Sequence, residues 1–244
     1  MADFGVRIKN GALITQIDST YKNLALWAKG VAVANQAVGF LSWRAATITV
    51  PYNSSSSFAW RADFPSFVMG ATFTATTMTV TFLSYIVGGS QATINWYVFA
   101  SPDVTGFPAG QDYGLRVKNA NWAVSFDSRN QYMRYLASLG GTRADLPTTQ
   151  DNMPPQFLTY AMPVGTVPAV LQGNLCSYTE EVPVGVGPNP GYMFFWIASC
   201  VRQLGNTLGI ANAPRVQGPY NDPISAPRID RPLWNYTVID VNGL

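Results

Sequence analysis

The chain has 244 residues, of which 48% are hydrophobic and only 11% charged, with a net charge of +2 and no histidine. That length is enough to bury a large core, as one big β domain or two small ones. The 11 Arg and 4 Lys are scattered, which excludes the basic stripe of a nucleic-acid binder; few charges beside 13% aromatics point to a surface that meets other protein.

The first element is a hairpin. Residues 4–19 read FGVRIKNGALITQIDS. Phe4, Val6 and Ile8 alternate with polar and charged residues, as a half-buried strand requires. Asn10-Gly11 is a turn signal because both residues tolerate positive φ. A return strand over 13–17 ends at Asp18-Ser19, whose short side chains suit bonds to nearby amides. The opening residues lack the apolar core of a signal peptide.

Residues 21–34 read either as a brief helix or as a strand. Strands are expected over 44–50, 93–99, 192–201 and 234–241, all rich in β formers. Residues 72–85 alternate throughout, with Met78, Val80 and Phe82 on one face and Thr77, Thr79 and Thr81 on the other. Ser54–Ser57 reads as a flexible loop tip, and Gly88-Gly89-Ser90 as a hairpin loop between two strands.

At 113–128 the opening motif returns as YGLRVKNANWAVSFDS, without a gap, at an offset of 109 residues. Gly5 matches Gly114, Arg7 Arg116, Lys9 Lys118, Asn10 Asn119, Asp18 Asp127 and Ser19 Ser128. Phe4/Tyr113, Val6/Leu115, Ile8/Val117 and Ile17/Phe126 are apolar swaps. Asn119-Ala120-Asn121 replaces the Asn-Gly turn, so a different turn type is expected. Arg, Lys, Asp and Ser read as a cross-strand ion pair and a turn cap, and Gly5 and Gly114 as a bulge or a close approach of another backbone. The repeat divides the chain into halves, 1–110 and 111–244, packed as one unit. Residues 129–139 follow the second Asp-Ser as 21–34 follow the first, with the same helix-or-strand ambiguity.

Beyond residue 140 prolines accumulate, among them those at 154, 155, 163, 168, 183, 188 and 190, and again at 214, 219, 223, 227 and 232. They predict long loops or extended arms, lying on a neighbouring subunit or on their own domain. Cys176 and Cys200 allow a single pairing, and buried reduced thiols are the expected state. The apolar run 192–201 falls far short of the roughly 20 residues of a membrane helix. The expected fold is therefore an all-β, jelly-roll-like β-sandwich with a duplicated hairpin and long Pro-rich loops.

Chemistry is scarce. Without histidine there is no Ser-His-Asp or Cys-His system and no His-ligated zinc. Glu180 and Glu181, the only glutamates, are adjacent and so point apart in a strand, which argues against a glycosidase pair. No Gly-rich phosphate loop or DxDxDG calcium loop appears. The expectation is a protein with no catalytic residues, no cofactor and no metal. Sugar stacking on Trp43, Trp60, Tyr52 or Tyr220 stays open beside core packing.

The segments FGVRIKN…IDSTYKNLAL and INWYVFASPD…DYGLRVKN…VSFDSRNQYM (94–133) resemble small virion proteins of tailed bacteriophages, a group associated with the tail tip, baseplate or fibres. The resemblance covers about the first 140 residues. Ala120-Asn121-Trp122 departs from it, since such proteins often carry glycine after the second asparagine. The resemblance implies a structural component of the phage tail, made in the bacterial cytoplasm. Its expected partners are other virion proteins and copies of itself, with no nucleic acid and no membrane insertion. A receptor-binding or lectin-like module contacting the host surface, and a head decoration protein, are the alternative readings.

Overall fold

The computed structural model describes residues 7–9, 15–18, 23–38, 42–86, 91–105, 113–147, 156–184, 191–213, 216–217 and 230–244. The chain opens with a hairpin, β1 (Arg7–Lys9) and β2 (Thr15–Asp18). Seven strands follow: β3 (Ala25–Ala34), β4 (Gln36–Ala37), β5 (Trp43–Pro51), β6 (Ser57–Ala62), β7 (Ser66–Phe73), β8 (Thr77–Tyr85) and β9 (Ala92–Ala100), then one helical turn, α1 (Pro102–Thr105). A second hairpin, β10 (Arg116–Lys118) and β11 (Val124–Asp127), starts the series again. It continues through β12 (Arg134–Thr142), β13 (Leu158–Ala161), β14 (Pro168–Gln172), β15 (Ser177–Val184), β16 (Gly191–Leu204), β17 (Thr207–Asn212), β18 (Val216–Gln217), β19 (Asp230–Arg231) and β20 (Leu233–Asp240). The fold is all-β and sandwich-like, with antiparallel pairing. Among the described residues no helix is long and apolar enough to cross a membrane.

Two sheets face each other. One runs β12-β20-β14-β6-β9-β3, the other β13-β17-β16-β7-β8-β5-β4. Trp60, Ile94, Val98, Val170, Trp234 and Val238 from the first meet Val50, Val80, Phe82, Val201, Leu208 and Ile210 from the second in one buried cluster. Each sheet also buries part of its outer face. Trp43, Phe67, Leu83 and Cys200 pack there on one sheet, and Tyr97, Phe99, Ala169 and Ile239 on the other. Alternation sorts β8 as expected. Met78, Val80 and Phe82 enter the core, while Thr79 and Thr81 bond across the strands to Thr49 (3.0 Å) and Thr47 (3.3 Å).

The pairings resolve into two modules of the same connectivity. In the first, the opening strand β3 pairs with the closing strand β9, and β9 with β6; in the other sheet β5 pairs with β8, and β8 with β7. In the second, β12 pairs with β20 and β20 with β14, while β13 pairs with β17 and β17 with β16. First-with-last and second-with-next-to-last is the wrapping of a jelly roll. The offset of 109 residues that aligns the hairpins also carries Ala25, the start of β3, onto Arg134, the start of β12. It carries the bulge between Leu26 and Ala28 onto the bulge between Tyr135 and Ala137.

In each module a glycine of the opening strand faces a tryptophan of the closing strand: Gly30 opposite Trp96, Gly141 opposite Trp234. A Cβ there would lie 2.4 Å from the Trp96 ring and 2.9 Å from the Trp234 ring, so only glycine lets the indole lie across the strand. The modules join through equivalent strands, β6 to β14 at Trp60–Val170 and β7 to β16 at Ser66–Val201, both antiparallel. Antiparallel contact between equivalents is what a local twofold axis produces. The two opening strands also meet at their N-terminal ends. Ala25 bridges Tyr132, the Leu26 amide donates to the Gln131 carbonyl (2.7 Å), and the Met133 amide donates to the Leu24 carbonyl (2.9 Å).

Several expectations change. The ambiguous stretches 21–34 and 129–139 carry strands, β3 and β12, because both edge positions in the first sheet need partners for β9 and β20. The run 72–85 is broken by a turn, where Thr74 Oγ1 accepts the amides of Thr76 (3.3 Å) and Thr77 (2.9 Å) and ends β7 before β8 begins. Residues 88–90 lie outside the described residues. The strands on either side, β8 and β9, belong to different sheets and do not pair as a hairpin. Among the described residues of the Pro-rich stretch 140–190 lie the end of β12 and the whole of β13, β14 and β15. Pro168 opens β14, and Pro183 sits in β15 opposite Tyr192 of β16, beyond the stretch of β15 that also pairs with β19.

Both cysteines are free and fully buried. Cys176 belongs to the inter-sheet core and Cys200 to the outer cluster, so they lie on opposite sides of the sheet. Burial pushes the Cys200 thiol up to about 12. Neither thiol is expected to react with a disulfide reagent such as DTNB in the native protein, and both should react together when guanidinium unfolds it. Native labelling at the rate of free cysteine would contradict this packing.

Candidate functional site

The repeated hairpin gathers the residues singled out in the sequence, and its second copy is described in full. Arg116 faces Asp127, Val117 faces Phe126, and Lys118 faces Val124, with a bulge between Val117 and Lys118. In the first copy Arg7 faces Asp18, Ile8 faces Ile17, and Lys9 faces Thr15, with the bulge at the corresponding place, between Ile8 and Lys9. Gly5, Asn10 and Ser19 lie outside the described residues.

Asp127 is the hub of the second copy. Its carboxylate is fully buried and held by two guanidiniums, Arg116 Nε at 2.9 Å and Arg129 Nη2 at 2.5 Å, with Arg129 Nε donating to the other oxygen at 2.8 Å. The Arg129 amide donates to the same carboxylate at 3.1 Å. These donors, Arg129 foremost, hold the carboxyl well below the usual carboxylate range despite burial. The Tyr132 hydroxyl accepts the Asp127 amide (2.5 Å) and donates to the Asp127 carbonyl (3.0 Å), while its ring stacks on Phe126 at 4.9 Å. Ser128 Oγ accepts the Leu115 amide at 2.8 Å.

Gly114 lies against this lock. A Cβ there would sit 2.9 Å from both Ser128 Oγ and Arg129 Cγ. The bulge is therefore at Lys118, not at the glycine, and what approaches Gly114 is a pair of side chains, not another backbone. The turn is built by Asn119, whose Oδ1 accepts the amides of Asn121 (2.9 Å) and Ala123 (3.0 Å). Trp122 adopts φ 62°, the left-handed conformation that the missing glycine would have supplied. Its side chain is 78% exposed, with Lys118 Nζ 5.3 Å from the ring, and Tyr113 (94%) and Leu115 (52%) are exposed on the same hairpin.

Arg116, Lys118, Asn119, Asp127, Ser128 and Gly114 thus come together. Arg129, Tyr132 and Trp122 were not singled out from the sequence, because the first copy has Thr20, Asn23 and Leu13 in their places. The Asp-x-Arg spacing was the available signal. Chemically, a carboxylate clamped by two cations neither takes nor gives a proton near neutral pH. Among the described residues no three His, Cys, Asp or Glu side chains gather in a way that could hold a metal.

Of the residues considered for sugar stacking, Trp43 and Trp60 are buried core residues and Tyr220 lies outside the described residues. Tyr52 is half-buried and packs on Phe73 at 4.9 Å, at the rim of a cleft of about 360 Å³ between the sheets. No known protein family, curated protein or solved structure matches the chain.

Proposed function

We propose that this chain is a non-enzymatic structural component of a tailed-phage particle, placed at the tail tip, baseplate or fibre attachment and assembled by protein–protein contacts. The supporting observation is the second hairpin, a rigid element whose one carboxylate is buried under two guanidiniums while Tyr113, Leu115 and Trp122 stand in solvent. Rigid display of apolar and aromatic side chains is the chemistry of an assembly surface. The matching positions of the first copy, Phe4, Val6 and Leu13, are also apolar. The same apolar pattern is therefore written twice in the sequence, and the likeness to virion proteins rests on the segments around it, with Trp122 a departure.

Cryo-EM of the intact particle tests the proposal. Density for the paired modules is expected at a symmetric position in the tail. Absence of the protein from purified particles would overturn it.

A receptor-binding role is the second reading, favoured by Trp122, which is exposed and held in a conformation uncommon for a bulky residue. In that case the isolated protein binds host cells, and Trp122→Ala abolishes the binding. No binding to cells would leave assembly as the role.

A further inference from the structure

The two modules are joined in each sheet at a single paired position, Trp60–Val170 and Ser66–Val201. Beyond those positions the strands part. β6 continues on the Ser57 side of Trp60, β7 continues past Ser66 to Phe73, and the gap left between them is the cleft of about 360 Å³. Phe58 and Trp60 of β6 and Val68, Ala71 and Phe73 of β7 line it, together with Gln172, the last residue of β14.

The edge of β7 that borders the cleft is filled only in part. At Ser66 it pairs with β16. At Val68 it is met by a side chain: the Val68 amide donates to Gln172 Oε1 (3.0 Å), and Gln172 Nε2 donates to the Val68 carbonyl (3.0 Å). A carboxamide so placed makes both bonds that a residue of a neighbouring antiparallel strand would make. There the row of bonds stops. Over residues 70–73, among the described residues, β7 pairs with β8 alone. The bulge between Val68 and Gly70 resets the alternation, so that Val68, Ala71 and Phe73 share the cleft side. Met69 and Phe73 are 50% and 57% exposed, and an unpaired apolar strand edge is a template for another chain.

We infer that this edge takes an added strand, an extended and uncharged segment of a partner protein that hydrogen-bonds along residues 70–73 and lays an apolar side chain in the cleft. The bonds already made at Ser66 and Val68 state what the edge accepts, a backbone or its amide equivalent, and an added strand continues that row. The cleft selects the side chain. Its lining is mostly aliphatic and aromatic and holds no charged group, so a charged side chain would lose its hydration there without a partner. On its floor the Trp60 indole N–H is buried and has no acceptor, a costly state, and an incoming chain brings carbonyls. Main-chain bonds then give affinity and the cleft gives selectivity. The site shares no residue with the repeated hairpin, so it stands whether or not the chain belongs to a particle.

The test is a titration of the nitrogen-15-labelled full chain with a capped peptide, Thr-Leu-Thr-Phe-Thr-Leu-Thr, followed by nuclear magnetic resonance and amide hydrogen exchange. A second peptide of the same sequence, N-methylated on the residues that would face β7, cannot donate those bonds. The first is expected to bind saturably, with a Kd below about 1 mM, and to shift the assigned indole N–H resonance of Trp60. At saturation, exchange over residues 70–73 should slow at least about fivefold. The methylated peptide should bind at least about tenfold more weakly. Ala71→Glu, at an exposed position on the cleft wall, should keep the circular dichroism spectrum and weaken binding about tenfold. Absence of saturable binding up to about 1 mM, or binding that leaves exchange over residues 70–73 unchanged, would overturn the inference. So would undiminished binding to a folded Ala71→Glu chain. Equal affinity for the two peptides would overturn it as well, since the cleft would then be a site for small apolar groups and not for a strand. If Ala71→Glu does not fold, the two peptides on the unaltered chain decide alone.

Discussion

Asp127→Asn is expected to lower unfolding stability by about 3–5 kcal/mol at neutral pH, the usual consequence of removing one member of a buried ion pair. The amide preserves shape but leaves the Arg116 and Arg129 guanidiniums facing each other without the charge that holds both. The hairpin then loses its fixed entry into β12, because Arg129 and Tyr132 are fastened to the same residue. Urea denaturation of the two proteins at neutral pH measures the loss. A difference under about 1 kcal/mol would mean that the pair behaves as an exposed one.

The same substitution carries a pH signature. The Asp127 carboxyl titrates lower in the folded protein than in the unfolded chain. Below about pH 4, where an unfolded carboxylate takes up its proton, the unfolded state binds more protons than the native one. The stabilisation from Asp127 is thus fully present above that pH and is lost progressively as pH falls further. The gap between native and Asp127→Asn stabilities should be constant from pH 7 to 5 and narrow by pH 3. A gap that is flat across the range would contradict a depressed carboxyl.

Trp60→Ala is expected to cost a similar 3–5 kcal/mol for a different reason. Trp60 is fully buried, packs edge-on against Phe82 at 5.6 Å, and is the residue of β6 that pairs with Val170 across the module junction. Removing the indole opens a cavity in the core and strips side-chain packing from a seam that has a single paired position in that sheet. For a protein of this size the melting temperature should fall by roughly 10 °C. The transition should also broaden, as one module loosens ahead of the other. By contrast, Thr79→Val on the outer face of β8 should shift the melting temperature by no more than a degree or two, since it removes one exposed hydroxyl pair. Equal effects from the two variants would contradict the assignment of core and outer faces.

Much of the β content was legible from periodicity. Met78, Val80 and Phe82 alternate with threonines because a pleated strand sends successive side chains to opposite faces, and this holds whatever the strand pairs with. Residues 21–34 were ambiguous because Ala, Gly and Lys dilute their alternation. Only partners can settle such a segment, here β9 beside β3 and β20 beside β12.

What the sequence alone determined is a strand-rich chain that writes one hairpin twice, since alternation and turn chemistry act over a few residues. Only the tertiary structure decided that the repeat extends into whole modules, since identity fades after Ser128 while register and bulge persist. It also decided that β8 and β9 part into different sheets and that Arg129 joins Arg116 on Asp127. Each is a contact between residues distant in the chain or a choice among equally apolar partners, and local pattern carries no information about either.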